Sequence, residues 1–134
     1  MKHVLVVEDD QHNALLFQIL LEKRAGCRVT VAEAPEQVMA LAGSGGVHLV
    51  IMDVSLSNSR WGGRALSGVD LCRMLRGDPR TARIPILLAT AHAMRGDAEH
   101  LLAESGADGY VAKPIMDHNI FVKQVQDLLE EEAA

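Results

Sequence analysis

Apolar residues fall along this chain in two textures. Compact runs recur at residues 4–7, 47–52 and 84–89, with shorter ones at 28–32 and 109–112. Runs of that length, without polar alternation, predict strands buried on both faces, as in a parallel sheet. Between them the apolar positions spread to helical spacing over residues 11–25, 35–42, 68–76, 97–105 and 118–130. Punctuation supports those limits. Asp10, Ser67 and Asp117 are placed to cap helices, Pro35 suits a first turn, Gly26 and Gly106 stop helices, and Gly77-Asp78-Pro79 ends another. Five strands alternating with five helices predict right-handed crossovers and helices on both faces of the sheet. The expected fold is α/β: a flavodoxin-like three-layer sandwich with a five-stranded parallel sheet in the order 2-1-3-4-5. Residues 1–129 form one domain, with an acidic, frayed tail at 130–134.

Two stretches break the pattern. The first helix has Leu16, Ile19, Leu20 and Lys23 at helical spacing, but Leu15, Phe17 and Leu21 leave it apolar around more of its girth than one buried face needs. That predicts either a wide core stripe or a docking face for a partner helix through residues such as Leu15 and Phe17. Residues 54–67 carry neither a helical nor a strand period, although connections in such units usually run about 2–6 residues. They hold the sole tryptophan, Trp61, between Arg60 and Gly62-Gly63-Arg64. An aromatic flanked by arginines suits an interface anchor, or the ring lies back on its own domain. Gly43-Ser44-Gly45-Gly46 lacks the Lys-Ser/Thr ending of a phosphate-binding loop and reads as a connection.

Composition narrows the classes. With 134 residues and 49% hydrophobic content there is material for one real core, built from aliphatic side chains because aromatics make up 3%. A net charge of −5 argues against general nucleic-acid binding. The charge is uneven: residues 60–83 hold six Arg against Asp70 and Asp78, a local excess of four positive charges in an acidic protein. Cys27 and Cys72 lack metal or redox spacing and read as reduced thiols of a cytoplasmic protein. No apolar run reaches membrane-spanning length, and the first strand begins without a leader, so neither membrane insertion nor export is expected.

The chemistry sits where the strands stop. The first ends in Glu8-Asp9-Asp10, the third in Asp53, the fourth in Thr90 and the fifth in Lys113. In open α/β sheets the carboxyl ends of the strands form the ligand-binding edge. If the first and third strands are parallel neighbours, Asp9 and Asp53 meet there, and carboxylates of this kind suit a hard cation. Taken singly, each Asp is as well explained as a helix cap or a solvated strand end.

Together, Val-Val-Glu-Asp-Asp, Ile-Met-Asp-Val, Ala-Thr-Ala and Ala-Lys-Pro-Ile resemble the receiver domain of bacterial two-component response regulators, the CheY-like fold, over residues 2–129. The stretch Glu-Asp-Asp-Gln-His-Asn-Ala-Leu-Leu-Phe is closest to the single-domain regulators of phosphorelays. The resemblance implies that Asp53 accepts a phosphoryl group from a phosphohistidine. It implies a Mg²⁺ ion, with Mn²⁺ as an alternative, held by Asp9, Asp53 and the Ser55 carbonyl, with Glu8 acting through metal-bound water. Lys113 and the Thr90 hydroxyl would pair with phosphoryl oxygens beside the Ala91 amide, and a cis bond at Lys113-Pro114 would aim the lysine. Thr90 and Tyr110 would form the switch, and Ser55 and His92 would tune the phosphoryl lifetime. Ser57 stands where the family usually has proline.

The implied function is that of a cytoplasmic single-domain response regulator. It is not a conventional enzyme, although it would catalyse its own phosphorylation and dephosphorylation. Its partners would be a sensor histidine kinase, a histidine phosphotransferase, or both, and a downstream protein. With no output domain after residue 134, the signal is expected to pass through another protein, with neither nucleic acid nor membrane involved. The alternative is a receiver fold used only as a scaffold. A small metal-dependent phosphatase would need a second acid two residues beyond Asp53, where Ser55 stands.

Overall fold

A computed structural model describes residues 1–56, 60–91 and 96–133. The elements run β1 (His3–Val7), α1 (Gln11–Lys23), β2 (Arg28–Ala32), α2 (Pro35–Gly43), β3 (Leu49–Asp53), β4 (Arg60–Trp61), β5 (Arg64–Ala65), α3 (Gly68–Gly77), β6 (Ile86–Thr90), α4 (Asp97–Ser105), β7 (Gly109–Ala112) and α5 (His118–Ala133). Five strands form one parallel sheet in the order β2-β1-β3-β6-β7. Counting only these, the order is the expected 2-1-3-4-5.

Side-chain alternation along each strand divides the core in two. Val4, Val6, Leu49, Ile51, Leu87 and Ala89 face one layer, packed with Phe17, Leu20 and Leu21 of α1 and Phe121, Val122 and Val125 of α5. Leu5, Val7, Val50, Met52, Ile86 and Leu88 face the other, packed with Val38 of α2 and Leu71, Cys72 and Leu75 of α3. Both cysteines are free and buried.

Local chemistry sets the element ends. The Asp10 carboxylate accepts from the amides of His12 and Asn13. Ser67 and Asp70 form a reciprocal capping box at α3. Gly106 ends α4 in the left-handed conformation. Away from the strand ends, Arg76 joins three segments. Its guanidinium donates to the carbonyls of Gly106, Ala82 and Ile84 and pairs with Asp108 at 2.6 Å. Asp108 in turn accepts from the Ile86 amide. One arginine of the basic segment is therefore an internal brace.

Four expectations change. Residues 54–67 are not without secondary structure: β4 and β5 form an antiparallel hairpin, with Trp61 opposite Arg64. Its turn is Gly62-Gly63, with φ of +61° and +79°, the positive pair that a tight two-residue hairpin turn needs. On α1, Phe17 is not available for docking. It is 1% exposed and packs in a tilted pair with Phe121, centroids 5.5 Å apart, because a ring of that size is worth more in the core. Conversely Ile19, expected in the core stripe, is 44% exposed, and Leu15 is 56% exposed. Finally, α5 extends past the boundary expected near residue 129 as far as Ala133; Leu128 and Leu129 pack into the core and no glycine or proline interrupts the helix.

Candidate functional site

The sheet register builds the site. Val7 of β1 lies beside Met52 of β3, so the residues after them, Glu8 and Asp53, emerge together at the carboxyl edge. Asp53 lies beside Ala89, which brings Thr90 next along the same edge. Thr90 lies beside Ala112, and Lys113 follows. The Lys113 amide donates to the Thr90 carbonyl at 2.8 Å, and the Lys113-Pro114 bond is cis, as expected.

These groups converge. The Lys113 ammonium lies 2.7 Å from Asp53 Oδ1 and 3.1 Å from Glu8 Oε1. Glu8, Asp53 and Thr90 are buried, and Asp9 is half-buried. One carboxylate oxygen each from Glu8, Asp9 and Asp53 lies within 4.8 Å of the others. The Ser55 amide donates to Asp53 Oδ1 at 3.2 Å, and the Asp10 amide to Glu8 Oε2 at 3.4 Å.

Two buried carboxylates, Glu8 and Asp53, share the Lys113 ammonium, with Asp9 close by, and the electrostatics follow from that crowding. Burial and the neighbouring Asp53 carboxylate push Glu8 up to about 7, an effect that Lys113 only partly offsets. Burial works to lower the Lys113 ammonium, but contact with Asp53 and Glu8 outweighs it and holds the group above its ordinary value. A clustered excess of negative charge built from hard oxygen donors fits a divalent cation of the Mg²⁺ type.

Sequence reasoning missed one residue that shapes this edge. Gly68, the first residue of α3, donates its amide to the Val54 carbonyl at 3.0 Å. A Cβ there would stand 1.9 Å from the Asp53 carbonyl oxygen. Only glycine lets α3 close against the backbone that carries Asp53. The available signal was a glycine following a serine cap directly, where a better helix former would ordinarily stand.

The remaining candidates separate by position. Ala91 is exposed just beyond β6. Tyr110 is half-buried on β7, packed at the margin of the second core, with its carbonyl accepting from Gln124. Trp61 lies in the hairpin and Leu15 on α1, neither of them among the converging groups. His92 and Ser57 lie outside the described residues. Among those residues, no helix is long and apolar enough to cross a membrane.

Comparison with known proteins agrees with this layout. A family model for the response regulator receiver domain matches residues 4–131. The polar-differentiation response regulators DivK of Brucella ovis and Brucella anthropi are each 31% identical over 114 residues, covering 85% of this chain and 85% of theirs. The receiver domain of a sensor histidine kinase from Pseudomonas aeruginosa, solved with a magnesium ion coordinated in its active-site cleft, has a TM-score of 0.80 at 27% identity, covering 96% of this chain and 98% of that one. A putative response regulator from Chloroflexus aurantiacus gives 0.82 at 29% identity with the same coverage. A family match running from β1 into α5, over a sheet edge with this geometry, leaves one conclusion: the chain belongs to the response regulator receiver domain family.

Proposed function

We propose that Asp53 is the phosphoacceptor of a response regulator that takes its phosphoryl group from a phosphohistidine. The observation that carries this reading is the convergence on Asp53 of the Lys113 ammonium, 2.7 Å away, and the carboxylates of Glu8 and Asp9 at one sheet edge. Lys113 and the Ser55 amide both engage Oδ1, so the carboxylate is held in one orientation. Oδ2 then attacks phosphorus. An O–P bond forms, the N–P bond of the phosphohistidine breaks, and the imidazole leaves with its electron pair. Lys113 transfers its contact to a phosphoryl oxygen as charge arrives, Thr90 donates its hydroxyl, and the Ala91 amide donates beside it. Hydrolysis at the same site, in which water attacks phosphorus and the Asp53 carboxylate leaves, would be timed by Ser55 and His92.

Glu8, Asp9, Asp53 and the Ser55 carbonyl are the groups to hold Mg²⁺, directly or through water. When bound, the ion neutralises the charge that otherwise opposes a carboxylate meeting a phosphoryl group. The magnesium in the Pseudomonas relative supports this assignment. A scaffold without phosphorylation would leave a costly buried cluster of charge with nothing to do.

Switching follows from the same atoms. Movement of Thr90 toward the phosphoryl group opens space for Tyr110, two strand positions and one strand away, and the surface of α4, β7 and α5 changes with it. The phosphodonor, a histidine kinase or phosphotransferase, docks where α1 begins beside Asp9. Leu15 and Ile19, one turn apart and both exposed, offer the apolar contact for a helix of that partner.

The test is phosphorylation by acetyl phosphate, read on phosphate-affinity gels with and without Mg²⁺. Wild type is expected to shift only with the metal, and Asp53→Asn not at all. Equal labelling of the two proteins would end this reading.

A further inference from the structure

We propose that the β4–β5 hairpin and the start of α3 form a second docking surface, distinct from α1, for an acidic segment of a partner protein. Trp61 and Arg64 are cross-strand neighbours, so their side chains share one face of the hairpin. Trp61 is 39% exposed, unusual for the largest apolar side chain in a protein with so few aromatics. Beside it lies a groove of about 350 Å³ lined by Arg64, Leu66, Asp70, Arg73 and Met74. Among the described residues, no carboxylate lies within ion-pairing distance of Arg64 or Arg73. The groove's own acid, Asp70, is already engaged by the amide and hydroxyl of Ser67. The other arginines with resolved contacts in this stretch are committed internally: Arg76 braces Asp108 and three carbonyls, and Arg80 pairs with Asp78.

Two guanidinium groups that form no ion pair among the described residues therefore flank an apolar floor of Leu66 and Met74 and an exposed indole, with Asp70 as the groove's one carboxylate against two arginines. Charge complementarity names the occupant. The excess of four positive charges over residues 60–83 stands in a protein of net charge −5, so a polyanion such as nucleic acid is repelled by the remainder of the molecule. A short segment carrying carboxylates beside apolar side chains is not. Arginine binds carboxylates through its paired donors, and an aromatic beside arginine is the usual composition of an interface anchor.

The probe is a short synthetic peptide of alternating glutamate and leucine, titrated into the full chain and followed by Trp61 fluorescence and by heteronuclear amide NMR. The expected result is saturable binding with shifts centred on Trp61, Arg64, Leu66, Arg73 and Met74, weakening as salt is raised. The double variant Arg64→Ala/Arg73→Ala and the variant Trp61→Ala should each lower the affinity about tenfold or more. Both replace exposed side chains, and acetyl-phosphate labelling of Asp53 reports that each remains folded. A glutamine-for-glutamate peptide that binds as well would overturn the proposal. So would shifts centred on α1, a single-stranded oligonucleotide that binds the same face more tightly than the peptide, or concentration-dependent self-association abolished by the double variant.

Discussion

At the scale of single residues, proton and cation balances decide behaviour. His3 donates its amide to His48 Nδ1 at 3.0 Å, and its ring Nε2 meets the Thr30 hydroxyl at 2.7 Å. Burial, with the Arg28 and His48 charges adding to it, holds the His3 imidazole below its ordinary 6.5. The folded protein then binds this proton more weakly than the unfolded chain. The His3 contribution to stability is thus complete above pH 6.5 and is lost as pH falls through the lowered folded value. Urea midpoints should show His3→Gln losing less stability than wild type between neutral and mildly acidic pH. A parallel decline of the two proteins would refute that assignment. The carboxylate cluster is expected to behave differently, because a bound divalent cation would relieve it. With Mg²⁺ at a hundredfold excess over Kd, the wild type should gain about 2.7 kcal/mol over protein in chelator. Asp9→Ala should lose most of that gain, as read from thermal melts.

At the scale of elements, the position of α3 is the sensitive one. The Gly68 amide reaches the Val54 carbonyl, and no room exists for a Cβ against the Asp53 carbonyl. Gly68→Ala must push α3 away from the strand end, at a cost of about 2 kcal/mol or more. The same displacement disturbs the backbone that presents Asp53 and Ser55, so Mg²⁺ affinity should fall together with the urea midpoint. A stable variant with unchanged metal affinity would show that the contact relaxes freely. The hairpin shows how local chemistry was there to be read and was not: Gly62-Gly63 is a turn signal, but flanking strands of two residues each are too short to display a period.

At the scale of the whole molecule, the site and the proposed output surface share β6 and β7. Thr90 ends β6 beside Ala112, and Tyr110 stands across from Leu88 in the same strand pair. A Thr90→Ala protein should still label at Asp53, since it retains the carboxylates and Lys113. It should lose the difference in partner affinity between phosphorylated and unphosphorylated forms, measured with beryllofluoride as the phosphoryl mimic. An intact difference would place the switch elsewhere.

How much could be read in advance follows from what each feature depends on. Element order, sheet type and the strand-end residues Glu8, Asp9, Asp53, Thr90 and Lys113 were legible in the chain. Doubly buried strands have no polar face, and the charged or hydroxylated residue that ends each one stands out against its apolar run. What only the tertiary structure decided is which apolar side chains of α1 are core and which are surface. Leu15 and Ile19 lie one turn apart on one face of α1, and Phe17, Leu20 and Leu21 share the opposite one; both faces are apolar, and packing against α5's Phe121 decides which is core. The close approach at Gly68, the bracing by Arg76 and the pairing of Trp61 with Arg64 were settled in the same way. Each joins residues through space, and sequence period carries no record of what lies across a gap.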